Sequence, residues 1–239
     1  MQELITPDRN QLLAAMSRQT QERIFPTLRL VDFPLGEVLH EAREDLTEVY
    51  FPVDCIVSLL NLTEAGHTAE VCVVGNEGFV DTAVMLGADR TLCRAIAQSA
   101  GSAYCMSAAE FRHEFDRNPE LRAMMLGYLH RLMTQMMQTV ICNRHHTILQ
   151  QLSRWLLMSL DRLPGNELHM TQELISNMLG VRREGVTDAA HHLKAEGVID
   201  YQRGHIVVLD RRRLEEMSCE CYSVVEAETD HIFGRRRKF

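Results

Sequence analysis

The sequence predicts an α+β protein: an antiparallel β-barrel or sandwich, then a long helix, then a winged helix-turn-helix. Three observations carry this reading. β-prone runs alternate with turn signals over residues 30–115, an apolar stripe runs through residues 119–144, and Met170 to Asp188 reads as two short amphipathic helices broken at a glycine. The corresponding divisions are a β-domain at 9–117, the long helix at 118–144, the helix-turn-helix domain at 145–213, and a C-terminal helix with a basic tail at 214–239.

Length and composition fit that plan. The chain has 239 residues, of which 46% are hydrophobic and 24% charged, as in a soluble globular protein of one large or two ordinary domains. The apolar runs are too short to span a bilayer, and the N-terminus lacks the basic start and apolar core of a signal peptide, so a cytoplasmic protein is expected. Seven scattered cysteines form no disulfide framework and suit free thiols in a reducing compartment. The net charge of −8 is unevenly spread: residues 1–144 hold 12 Lys/Arg against 19 Asp/Glu, whereas residues 145–213 hold 9 against 8 and six histidines. A near-neutral reading domain implies modest nonspecific affinity for nucleic acid and heavier reliance on base contacts and on two copies acting together.

Residues 9–25 read as a helix burying Leu12, Leu13, Met16 and Ile24. Strands are expected around 48–51, 56–60 and 70–74, separated by Pro34-Leu35-Gly36, Pro52-Val53-Asp54, Glu64-Ala65-Gly66 and Gly75-Asn76. Asn118 is a good N-cap and Pro119 suits the first helical position. The helix that follows, from Pro119 to Arg144, would be about 39 Å long. Leu121, Met125, Tyr128, Leu132, Met136 and Thr139 recur along it at heptad-like spacing. A stripe this long needs burial on two sides, so these six are expected to form a dimer seam, with a core helix of one monomer as the plainer reading. Polar Asn143 to Thr147 places a hinge, and a helix from Ile148 to Leu163 buries Leu149, Leu152, Trp155, Leu156 and Leu160.

Thr171 is the expected N-cap of the first helix of the motif, and Gly180 supplies the backbone freedom of its turn. In the second helix Val186, Ala190 and Leu193 face inward, which leaves Arg183, Glu184, Thr187, Asp188 and His191 facing outward. First-turn residues of such a helix reach base edges in the major groove. Arg183 suits the guanine O6/N7 pair and Glu184 a cytosine amino group, while Thr171, Gln172 and Arg182 are better placed for phosphates. The plainer reading of Arg183 and Glu184 is a solvated charged face. Val198 to Leu209 then reads as a hairpin with Arg203-Gly204 at its turn, placed where a winged helix has its wing, and Arg203 and His205 sit at the tip.

These residues resemble the cAMP receptor protein/fumarate-nitrate regulator (CRP/FNR) superfamily of bacterial transcription factors. Thr171, the Gly180 turn, Arg183-Glu184, Val186 and Leu193 match its helix-turn-helix pattern, and the order β-domain, long helix, winged helix matches over residues 10–212. The resemblance implies a cupin-like, cyclic-nucleotide-binding-type barrel as sensor, a homodimer joined by the long helix, a near-palindromic DNA site and contacts with RNA polymerase. In one departure, Asp188 stands where the family often places a second arginine, so the target sequence should differ from the familiar ones.

The sensor keeps little of the family's ligand chemistry. Cyclic-nucleotide-binding members hold the ribose with a Gly-Glu pair and the phosphate with an Arg-Ser pair. Here Glu77 remains as a ribose partner, no Arg-Ser pair exists, and Arg90 or Arg94 would have to substitute, so cAMP binding is not expected and the effector is an unidentified small molecule or none. The cysteine spacing forms no iron–sulfur motif, and Cys55, Cys72, Cys93 and Cys105 read as small hydrophobes. Haem stays open through His40, His67, His113 and Cys142, although lone histidines are more often structural or exposed. No metal site is assigned; Cys219-Glu220-Cys221 is a close pair that alone is weak evidence for metal or redox chemistry. Arg235 to Lys238 form a basic tail that would add nonspecific phosphate affinity.

An enzyme is disfavoured because no P-loop, nucleophile elbow, HExxH or zinc-knuckle spacing occurs. A winged-helix interaction module without DNA affinity would have no reason to keep base-reading side chains on the second helix. A DNA-binding regulator accounts for both the motif and the wing.

Overall fold

The computed structural model describes residues 5–232, with side chains to residue 229, so the basic tail at 235–238 lies outside the described residues. The N-terminal segment is two helices rather than one, α1 (Gln11–Ala15) and α2 (Arg18–Ile24). Each has its own cap. Asn10 Oδ1 accepts from the amides of Leu12 and Leu13, and Ser17 from that of Thr20. The Asn10 amide also donates to the carbonyls of Pro52 and Gly78, both at 2.8 Å, which ties α1 to the β-domain. Leu12, Leu13, Met16 and Ile24 are buried, as their spacing predicts.

Seven strands follow: β1 (Arg29–Phe33), β2 (Val38–His40), β3 (Glu48–Pro52), β4 (Val57–Leu62), β5 (Thr68–Val74), β6 (Arg94–Ala97) and β7 (Gly101–Ser107). They form two open antiparallel sheets, β1-β7-β3 and β2-β6-β4-β5, so of the two expected arrangements, barrel or sandwich, the sheets take the sandwich and do not close. Short β2, with its register shift, leaves an edge that alternating hydrophobicity cannot reveal. The sheets enclose Val49, Phe51, Val57, Cys72, Val74 and Phe79, with Phe51 stacked on Phe79 at 5.6 Å between centroids.

Two helices leave the sandwich, α3 (Ala108–Arg117) and the 27-residue α4 (Pro119–His145). Asn118 caps α4 by accepting from the amides of Glu120 and Leu121. The face of α4 expected as a dimer seam proves to be the protomer's own core. Leu121, Met125, Tyr128 and Leu132 are 0% exposed, and Met136 packs half-buried against the same cluster. Thr139 is bound to its own chain, donating to the Gln135 carbonyl and accepting from Arg154. The apolar stripe is wide enough for two faces, and periodicity cannot say which one the β-domain takes. The face left open carries Leu126, Met133, Met137, Val140 and Ile141, all between 46% and 70% exposed.

The C-terminal part contains α5 (Ile148–Leu160), β8 (Glu167–His169), α6 (Gln172–Leu179), α7 (Arg183–Ala195), β9 (Ile199–Gln202), β10 (His205–Val208), α8 (Arg211–Glu216) and α9 (Cys221–Ile232). Thr147 opens α5 with a capping box closed by Gln150. Its core is continuous with the β-domain: Ile56, Leu60 and Val73 are buried together with Leu152, Leu156, Met178 and Leu179. Burying three such aliphatic side chains is worth about 1.5–3 kcal/mol each, so this junction is a substantial part of the fold. α9 returns to pack along α4.

Candidate nucleic-acid interface

The helix-turn-helix is built from local chemistry. Thr171 caps α6 by accepting from the Leu174 amide at 3.2 Å. Gly180 ends it in the left-handed conformation, φ +65°, which a side chain would strain. α7 then starts at Arg183 and buries Val186, Ala189, Ala190 and Leu193. Its other face presents Arg183, Glu184, Asp188 and His191, all exposed, with Arg182 just ahead. Among the described residues, none of these five side chains forms an ion pair or hydrogen bond, so this face is open to a ligand. Thr187 and Gln172 are different: the Thr187 hydroxyl donates to Gln172 Oε1 at 2.8 Å, clamping the two helices together.

The wing gains a strand over expectation, since β10 pairs with both β9 and β8. Its turn is Arg203-Gly204, φ +48° and +82°, the two consecutive positive angles that suit a tight hairpin to the strand twist. Arg203 is exposed. His205 is more constrained: its ring stacks on His169 at 4.7 Å and its Nε2 lies 3.0 Å from Glu167 Oε2.

The cradle around Glu77 is closed by the chain itself. Glu77 is 4% exposed, and its Oε1 accepts from Arg162 Nε at 2.8 Å and from Arg131 Nη2 at 3.2 Å. Burial alone would raise the Glu77 carboxyl, but Arg162 and Arg131 outweigh it and hold it below its ordinary value. Gly75, in the same turn, meets Arg162 so closely that an added Cβ would lie 2.6 Å from its Cγ. Arg90 is paired at the surface with Asp45, and Arg94 with Glu41. The expected ribose partner is thus consumed, and neither arginine joins it in a phosphate cradle. These residues do not fit a cyclic nucleotide. Sequence reasoning missed Arg131 and Arg162, which are 54 and 85 residues away from Glu77. It also left unassigned a group of Cys142, His146, Cys219 and Cys221 that the fold gathers at the end of α4.

The structure thus combines a sandwich, a long helix and a winged helix-turn-helix whose second helix presents an open polar face. Residues 150–217 match the Crp-like helix-turn-helix domain. No curated protein matches the chain. Among solved structures, FixK2 from Bradyrhizobium japonicum is 15% identical over 80% of this chain and 98% of its own, with a TM-score of 0.67. A putative Crp/Fnr-family regulator from Eubacterium rectale is 17% identical over 88% of this chain and 98% of its own, TM-score 0.68. The c-di-GMP-responsive regulator CLP of Xanthomonas campestris is 14% identical over 80% and 99%, TM-score 0.65. Residues 150–217 thus form a Crp-like helix-turn-helix domain, and the chain shares the overall fold of these CRP/FNR-family structures. No helix among the described residues is long and apolar enough to cross a membrane.

Proposed function

We propose that the protein is a cytoplasmic homodimer that reads a near-palindromic DNA site through the first turn of α7. The observation that carries this is the pair Arg183 and Glu184, exposed and unpaired at the start of a helix whose opposite face is fully buried. Arg183 donates to a guanine, Glu184 accepts from a cytosine, and Arg182, Thr171 and Arg203 bind phosphates. Gln172, Thr187 and His205 brace the motif and wing, with phosphate contact as their second role. Asp188 and His191, further along the same face, shape the preference, with Asp188 disfavouring close phosphate approach. The partner protomer packs on Leu126, Met133, Met137, Val140 and Ile141, the open apolar face of α4. Dimerisation compensates for the near-neutral reading domain by engaging two half-sites. Contact with RNA polymerase follows from the family resemblance.

The signal sensed is not cAMP bound through Glu77, Arg90 and Arg94, because those side chains are committed to Arg162 and Arg131, to Asp45 and to Glu41. Selection from random duplex DNA tests the reading. A symmetric logo with two half-sites is the expected result, and absence of any preferred sequence at moderate salt would refute it.

A further inference from the structure

At the end of α4, where the chain turns toward the reading domain, three thiols and one imidazole converge. The ligand atoms of Cys142, His146, Cys219 and Cys221 all lie within 4.8 Å of one another. Cys142 Sγ is 3.5 Å from Cys219 Sγ, and Cys221 Sγ is 3.6 Å from His146 Nδ1. We propose that these four residues form a tetrahedral Cys3His site for a single Zn2+ ion, which fastens the C-terminal helix to the hinge.

The spacing fits one ion. With Zn–S bonds of about 2.3 Å and Zn–N bonds of about 2.0–2.1 Å, tetrahedral ligand atoms sit roughly 3.5–3.8 Å apart. An iron–sulfur cluster would need its cysteine sulfurs much further apart to enclose the inorganic core. A disulfide would use two of the thiols and leave the third cysteine and the histidine without a role. The cysteines are 0%, 5% and 0% exposed for Cys142, Cys219 and Cys221, so the site is closed, as structural zinc sites are.

The surroundings orient the ligands. His146 Nε2 lies 3.3 Å from Glu220 Oε1, so a proton held on Nε2 donates to that carboxylate and leaves the Nδ1 lone pair facing the sulfurs. This carboxylate–histidine arrangement is the usual outer support of a zinc-bound imidazole. The Gln151 side-chain amide donates to the Cys142 and His146 carbonyls, fixing the turn that separates those two ligands. Three thiolates and Zn2+ leave one net negative charge, and buried Arg154, bonded to Thr139 one helical turn before Cys142, carries the opposite sign. On binding, the three thiols release their protons to solvent, so uptake strengthens as pH rises. Cys142 and His146 flank the end of α4, whereas Cys219 and Cys221 precede and begin α9. Occupancy therefore couples the position of α9 to the hinge that carries the reading domain.

The test uses the full chain. After purification under reducing conditions, metal analysis and native mass spectrometry should find one zinc per chain. The apo-protein titrated with Co2+ should develop the thiolate charge-transfer and intense visible bands of tetrahedral cobalt, and Zn2+ should displace them. Cys219→Ser with Cys221→Ser should abolish both signals, whereas Cys93→Ser, outside the group, should keep them. His146→Cys should still bind and shift the cobalt spectrum toward a four-thiolate site. The cobalt titration of the unmutated chain stands even if a variant fails to fold. Reduced protein that takes up neither ion, or a Cys142–Cys219 disulfide recovered in place of metal, would overturn the proposal. DNA selection is independent of these readouts, so the two proposals fail separately.

Discussion

Arg162, in the turn leaving α5, donates from Nε to Glu77 Oε1 at 2.8 Å, so an arginine of the C-terminal part fills the turn at Gly75 and Glu77 in the β-domain. The same guanidinium donates to the Met158 carbonyl and to Gln135 Oε1, and Arg131 approaches Glu77 from α4. One carboxylate thereby joins three parts of the chain. Because removing one partner leaves the others charged and buried, Glu77→Ala should cost about 3–5 kcal/mol. Urea unfolding measures this, and a loss well under 1 kcal/mol would mean that water reaches the arginines.

Glu70 predicts a pH dependence. Burial raises its carboxyl to about 7, against smaller opposing effects of the Ser58 hydrogen bond and of Arg154 and Arg162. The Ser58 hydroxyl lies 2.6 Å from Glu70 Oε2 and 2.8 Å from Gln98 Oε1, and its single proton serves only one of them. A protonated Glu70 resolves the conflict by donating to Ser58, which then donates to Gln98. The folded state holds this proton more tightly than the unfolded chain, so the group's contribution is fully present below the unfolded value of 4.5 and is lost as pH rises to about 7. The loss amounts to roughly 3 kcal/mol. Glu70→Gln should flatten the difference between denaturation midpoints measured on either side of that window; an unchanged slope would assign it to other groups.

The open face of α4 is tested by charge. Met133→Glu with Met137→Glu places two carboxylates on the exposed stripe without touching the protomer core. Sedimentation should then show monomers, and affinity for a two-half-site duplex should fall while the fold persists. A dimer unaffected by both substitutions would put the seam elsewhere.

Arg183→Ala should relax base preference at one position of each half-site and cost about 1–3 kcal/mol there. Arg203→Ala, at the wing tip, should instead weaken all duplexes alike and reduce the salt dependence. Selection and salt titration separate the two patterns, and an unchanged logo for Arg183→Ala would remove it from base reading.

What the sequence made legible was chemistry confined to a few neighbours. The caps at Asn118 and Thr171, the left-handed Gly180 and the Arg203-Gly204 turn each express a backbone requirement within one turn of chain. The inward set Val186, Ala190 and Leu193 follows from helical periodicity alone. Long-range pairing was not legible. Nothing in the α4 pattern says that Leu121, Met125, Tyr128 and Leu132 face the sandwich while Met133 and Met137 face away. Glu77 could be picked out by its turn but not matched with Arg131 and Arg162. Cys142 lies 77 residues from Cys219, and only the short pair at 219 and 221 hinted at a shared role.

Ile56, Leu60 and Val73 are roofed by the C-terminal helices rather than by strands of their own half. Neither half is therefore a self-sufficient globule, and severing the chain near residue 146 would bare a greasy scar on both fragments. The intact molecule should melt in one cooperative step. Any swing of the C-terminal half must first peel it from that common floor, so a signal reaching these three aliphatic residues would govern how freely that half moves.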